Sequence, residues 1–234
     1  MTEEQRNIAQ NIGKIRERIG AAAKSAGRSA ENIQLIAVTK TASATDSRVV
    51  ALAGLKDLGE SRPQMLFEKA SLLADASIRW HLIGHLQRNK VAKTIEKTHL
   101  IHSVDSIRLL EAINLEGRKA KKTVDILLEI NISQEPEKHG FAPSDVPETL
   151  ETISHLSHLR VRGLMAMASR DGGRAAARKD FAAVRVLRDK HSHNLPENVS
   201  LDELSIGMSA DLEEAILEGA TMVRVGRAIF QTTA

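Results

Sequence analysis

The chain has 234 residues, 33 basic and 30 acidic side chains, a formal net charge of +3, and neither cysteine nor tyrosine. This length suffices for one large domain with a sizeable core. The missing cysteines exclude disulfides, thiolate catalysis and cysteine-bound zinc. The densest basic stretch, Arg118-Lys119-Ala120-Lys121-Lys122, reads as a solvated helix end, and no aromatic residue stands near it to stack on a base. The polar segment Met1–Gln10 does not read as a signal peptide, and no apolar run approaches the about 18 residues of a membrane helix. No nucleic acid or membrane partner is expected, and a cytoplasmic location is.

In chain order, Ile8, Ile12, Ile15 and Ile19 recur at helical spacing and predict a helix over 3–26, stopped by Gly27. Apolar strands then alternate with helical stretches. Strands are expected at Ile33–Val38, Lys56–Gly59, Ile78–Ile83, His99–Val104, Val124–Asn131, Leu159–Ala166, Ser200–Ile206 and Met222–Val225. Helices are expected over 45–54, 62–75, 86–96, 105–120, 145–156, 175–191 and 211–218, with a last short one beginning near Arg227. Eight strands alternating with helices predict an α/β fold, a (β/α)8 TIM barrel preceded by an extra N-terminal helix; a doubly wound open sheet is the alternative. Gly172-Gly173 and 194–198 read as loops within one domain, and no Pro/Gly/Ser-rich linker divides residues 1–234.

In such barrels function collects at the C-terminal ends of the strands. Lys40 follows a buried-looking strand there, where partial desolvation would free its amine for Schiff-base chemistry; the plainer alternative is a lysine reaching water. Leu204–Ser209 and Val223–Arg227 each read as an apolar strand, a glycine turn and a helix start, the pattern that leaves main-chain N–H groups for a phosphate. Ser205, Gly207 and Ser209 would serve from the seventh strand and Gly226 from the eighth. Ordinary capping by Ser209 or Asp211, with Glu214 at capping-box spacing from Asp211, is the competing reading. Strand alternation puts Met222, Arg224 and Gly226 on one face. Arg224 would then point into the barrel, needing a partner such as Glu129 or a ring-nitrogen acceptor. His81 and His85 lie four apart without a clear carboxylate companion, so no metal site is expected. A lysine with a phosphate cradle suggests pyridoxal phosphate.

These motifs resemble the pyridoxal-phosphate homeostasis proteins, also described as alanine racemase N-terminal-like. The resemblance runs from about residue 5 to residue 230. It is carried by Ala37–Lys40, Gly59-Glu60, Trp80–Gln87 with Asn89-Lys90, His102–Asp105, Asn131–Ser133 with Lys138 and Gly140, Arg162–Met165, Leu204–Ser209 with Asp211, and Val223–Gly226. It implies a single-domain barrel with pyridoxal 5'-phosphate as a Schiff base on Lys40. It further implies a phosphate held by Ser205, the Gly207-Met208-Ser209 turn and the Gly226-Arg227 amides, and Arg224 facing the pyridine nitrogen. Ser61, Arg227 and Gln231 depart from the common pattern, and Arg227 puts a side-chain phosphate contact at that position in doubt.

The resemblance leaves enzyme and carrier to be separated. Alanine racemases add a tyrosine base from a second domain of the partner subunit, and related decarboxylases a partner cysteine; this chain has neither residue type. A carrier or regulator of intracellular pyridoxal phosphate is therefore expected, without strong turnover and with no catalytic residue assigned. Pyridoxal-phosphate-dependent apoenzymes are conceivable recipients, and a monomer is expected. A weak racemase using Lys40 with His85, and a barrel binding another phosphorylated ligand, are the alternatives.

Overall fold

Short runs rich in Val, Ile and Leu, separated by amphipathic stretches, bury both faces when they pair in parallel and are wrapped by helices. The computed structural model describes residues 2–133, 135, 137–169 and 171–231. Within it β1 (Gln34–Val38), β2 (Asp57–Glu60), β3 (Arg79–Leu82), β4 (Leu100–Val104), β5 (Val124–Ile130), β6 (Leu159–Ala166), β7 (Val199–Ser205) and β8 (Met222–Val225) close into a barrel in sequence order. All pairings are parallel, and β8 returns to β1 with Ala37 opposite Val225. The open-sheet alternative is thereby excluded.

Strand alternation divides the core in two. Ile36, Leu100, Leu127, Met165 and Met222 form one small cluster. A much larger cluster includes Leu35, Ala37, Val223 and Val225 from the strands and Phe181, Val184 and Ile113 from helices. The helices are α1 (Glu3–Ser25), α2 (Ala44–Leu52), α3 (Pro63–Leu72), α4 (Val91–Lys97), α5 (Ile107–Lys119), α6 (Val146–Ser154), α7 (Gly173–His191), α8 (Leu212–Leu217) and α9 (Arg227–Phe230).

Many element bounds shift slightly from the sequence expectation, and two of the differences have a visible local cause. The fourth helix starts at Val91 rather than 86, because Gln87 is extended (φ −71°, ψ 139°) and a 3-10 turn, Arg88–Lys90, intervenes. Gly173 opens α7 instead of lying in a loop, with Gly172 before it at φ 101°.

The first helix buttresses the functional end of the molecule. Thr2 and Gln5 form a reciprocal capping box at its start. Farther along, Asn11 Nδ2 donates to Ile229 O (3.1 Å) and Gln231 O (2.9 Å), tying down α9. Arg18 pairs with Glu213 (2.7 Å) and donates to Ser209 O (3.1 Å), tying down the loop after β7. The two turns expected to hold a phosphate are thus braced from behind by one helix.

Candidate functional site

The end of β1 is set by a buried ion pair that the sequence did not announce. Lys69, on α3, is fully buried and donates to Glu60 Oε1 (2.6 Å) and to the carbonyl of Thr39 (2.7 Å). The Thr39 hydroxyl donates to the same carboxylate oxygen (2.6 Å). The residue preceding Lys40 is therefore fixed through both its carbonyl and its side chain. Lys40 itself follows in a turn closed by the Ala42 N–H to Thr39 O bond (2.9 Å), and its side chain is exposed. β1 ends before Lys40, and the residue stands exposed after it. Among the described residues its ammonium has no hydrogen bond or ion pair.

Arg224 does face the barrel interior, as strand alternation predicted. The guanidinium donates to Ser205 O (2.5 Å), Ser205 Oγ (2.7 Å) and Ala166 O (3.0 Å). The expected direct pair with Glu129 is not made; Glu129 is near enough only for its charge to be felt. Burial lowers Arg224 to about 10, so it remains a cation at neutral pH. Nη1 makes both bonds to Ser205 and Nη2 the one to Ala166 O, and Nε has no hydrogen-bond partner among the described residues.

Ser205 adjoins this guanidinium. Its hydroxyl is fully buried and lies between Arg224 and His102 Nδ1 (2.9 Å) rather than turning to the loops. A polar chain continues inward from there. His102 Nε2 meets His81 Nδ1 at 2.9 Å, and His81 Nε2 meets Asp57 Oδ1 at 3.1 Å. Asp57, at the opposite end of the barrel, is forked by Arg79. One proton on each imidazole satisfies every atom. His81 then donates to Asp57, His102 donates to His81, and the Ser205 hydroxyl donates to His102 while accepting from Arg224. Burial holds His102 well below its ordinary value, in keeping with that arrangement. Burial acts to raise Asp57, but hydrogen bonds from His81, Arg79 and Gln34 outweigh it and hold the carboxyl well below its usual range.

The two turns lie on either side of Arg224. Gly207 takes φ 89°, a left-handed conformation that favours glycine. The Met208 N–H is used by Asp211 Oδ1 (2.5 Å), which holds the turn closed; Asp211 precedes α8 but makes no side-chain cap, so the capping-box alternative is not formed. Met208 is exposed and Ser209 half-buried. The main-chain N–H groups of Gly207, Ser209, Gly226 and Arg227 make no hydrogen bond among the described residues. Gly226 abuts β1: a Cβ there would stand 3.0 Å from Val38 O. Gly226 thus packs against the last residue of β1, and the Arg227 side chain that follows it is exposed.

Two carboxylates complete the mouth. Asp105, after β4, lies 3.0 Å from His85 Nδ1, so His85 has the carboxylate companion that the sequence withheld, as His81 has Asp57. Glu129 is pushed up to about 7, chiefly by burial and secondarily by Asp105. A group raised on folding from 4.5 to about 7 favours the native state at low pH, and that contribution is lost as pH rises between these values. Urea titrations of wild type and Glu129→Gln are expected to diverge accordingly. Wild type should lose stability relative to the variant by up to about 1.4 kcal/mol per pH unit within this window. A difference independent of pH would contradict the assignment.

A closed parallel barrel with an unpartnered lysine after its first strand and a buried arginine on its last defines the racemase type of barrel. The chain belongs to the alanine racemase N-terminal domain family, which matches residues 5–234. It is 41% identical to the pyridoxal phosphate homeostasis protein of Pseudomonas aeruginosa, over 95% of this chain and 94% of that one. With the protein of the same name from Escherichia coli K12 it shares 35%, over 96% of each chain. Among solved structures, PipY of Synechococcus elongatus with PLP bound superposes with a TM-score of 0.84 at 32% identity, covering 96% of this chain and 100% of PipY. An alanine racemase from Clostridium difficile is 14% identical with a TM-score of 0.73, over 97% of this chain and 56% of the racemase; that likeness shows the fold alone.

Proposed function

We propose that this protein binds pyridoxal 5'-phosphate and acts in its intracellular homeostasis as a carrier or regulator, holding the cofactor as a Schiff base on Lys40. The observation that carries the proposal is the exposed Lys40 ammonium, without a partner among the described residues, following a Thr39 held by Lys69 and Glu60 on the strand against which Gly226 packs. The names of the full-length relatives and the PLP-bound PipY support it. The residues present fit the cofactor. Main-chain N–H groups of Gly207, Ser209, Gly226 and Arg227 would take the phosphate. Met208 would contribute only as part of the turn, and Ser205 by orienting Arg224 rather than by touching the phosphate. Bound there, pyridoxal phosphate supplies an aldehyde for amines and an electron sink. Arg224 can donate a hydrogen bond to the ring nitrogen but cannot accept one from a protonated nitrogen, which favours the unprotonated ring and a weak sink. Little intrinsic catalysis, a monomeric state, a cytoplasmic location and delivery to apoenzymes belong to the same proposal.

A visible absorption band is expected when pyridoxal phosphate is added to wild type and not to Lys40→Ala. Borohydride reduction followed by mass spectrometry should place a pyridoxyl adduct on Lys40. A band unchanged in the variant would refute the covalent assignment.

A weak amino-acid racemase is the second reading, and His85 with Asp105 at the mouth favours it as an acid–base pair. Rapid Lys40-dependent uptake of solvent deuterium at Cα of amino acids would select this reading over the carrier.

A further inference from the structure

The loops after β3, β4 and β5 bring together three side chains that the cofactor proposal leaves unused. His85, Asp105 and His139 have donor atoms all within 4.8 Å of one another. His85 Nδ1 lies 3.0 Å and His139 Nδ1 3.6 Å from the same oxygen, Asp105 Oδ2. Donors about 2.0–2.2 Å from one ion stand roughly 3–3.5 Å apart when they are adjacent ligands. The two measured separations fall at about that spacing without any ion to impose it. Asp105 is the anchor: its side chain is 7% exposed, and its other oxygen accepts from the Ser106 hydroxyl at 3.1 Å. The imidazoles are 47% and 63% exposed and face each other at 4.5 Å between centroids, so they can adjust around a fixed carboxylate.

We propose that His85, Asp105 and His139 form a binding site for a divalent transition-metal ion of the zinc class, with coordination positions left open at the barrel mouth. Two imidazoles and one carboxylate suit zinc, nickel, copper or iron rather than magnesium or calcium, which take oxygen donors. Three protein ligands leave room for water or an exogenous ligand. His85 and Asp105 line a groove of about 520 Å³ together with Gln87, Arg88, Asn89 and Arg108, which favours an anionic or polar ligand there. The site is independent of Lys40 and does not rest on the cofactor reading.

Isothermal titration of the full-length, untagged chain with zinc chloride tests it, with cobalt(II) absorption as a geometric readout. One ion per chain is expected, with no competition from equimolar magnesium. His139→Ala, an exposed change, should weaken binding at least tenfold, since removing even an outer partner of a ligand costs that much. Asp105→Asn should do the same, and both should lose the cobalt band. His193→Ala, an exposed histidine beyond α7, should leave binding unchanged, and so should Lys40→Ala, which separates this site from cofactor capture. Absence of stoichiometric binding, equal weakening by His193→Ala, or indifference to His139→Ala would overturn the proposal.

Discussion

Lys69→Met is expected to lower stability by about 3–5 kcal/mol, the usual penalty for stranding one member of a buried ion pair. In a chain of this size that corresponds to a fall in Tm of very roughly 6–20 °C. Glu60 is fully buried, its Oε2 already has no hydrogen-bond partner, and its Oε1 would keep only the Thr39 hydroxyl. The Thr39 carbonyl would lose one of its two donors, keeping only the Ala42 N–H. Methionine fills similar volume, so little of the loss would come from a cavity. Glu60→Gln in the same chain removes the stranded charge, and the double variant should recover at least about 1 kcal/mol. Equal or additive losses in a thermodynamic cycle would show that the two groups are not coupled. The cofactor reading adds a second observable. With one tether of Thr39 removed, Lys40 should capture pyridoxal phosphate more weakly even at temperatures where the variant is fully folded.

Gly163→Ala should be at least as damaging, and its sign contrasts with that of Gly13→Ala. A Cβ at Gly163 would stand 1.9 Å from Glu203 O and 2.6 Å from Glu203 C, both main-chain atoms of the neighbouring strand. Neither can retreat without opening the β6–β7 pairing, in which Gly163 lies opposite Glu203 and Met165 opposite Ser205. The damage would reach the site through Ser205, which carries Arg224. A loss beyond about 4 kcal/mol, or failure to recover folded protein, is expected, as for the most disruptive single substitutions. Gly13 lies within α1 with nothing inside 4 Å of its added Cβ. There alanine should stabilise the chain by about 0.5–1 kcal/mol through its better helix propensity. Thermal melts of the two variants check both signs, and a tolerated Gly163→Ala would refute the packing argument.

The site has two kinds of residue, and they were unequally legible. Lys40, Gly207, Gly226 and Arg224 sit at the ends of apolar runs, and a strand-end position is a local property: chain order and alternation suffice to find it. The inward face of Arg224 follows from the same two-residue period. What holds these residues is not local. Lys69 stands in an amphipathic helix among Leu66 and Phe67, where its sequence context reads as a solvated lysine, yet it is 2% exposed and pinned to Glu60. His81 and His102 are separated by 21 residues, and Ser205 by 103 more, although they form one continuous chain inside the barrel.

The sequence by itself determined the alternation of strands with helices, their order and the strand ends at which chemistry can occur, while closure into a barrel rather than an open sheet came from the structure. Hydrophobic periodicity and glycine turns are short-range signals that survive without any partner. Only the tertiary structure decided which polar side chains face each other across the closed barrel. It set the Ser205 hydroxyl between Arg224 and His102, left Lys40 exposed, and brought His85 and His139 to the carboxylate of Asp105. Closure of the sheet sets those distances, and no feature of a linear pattern encodes a distance between residues on different strands.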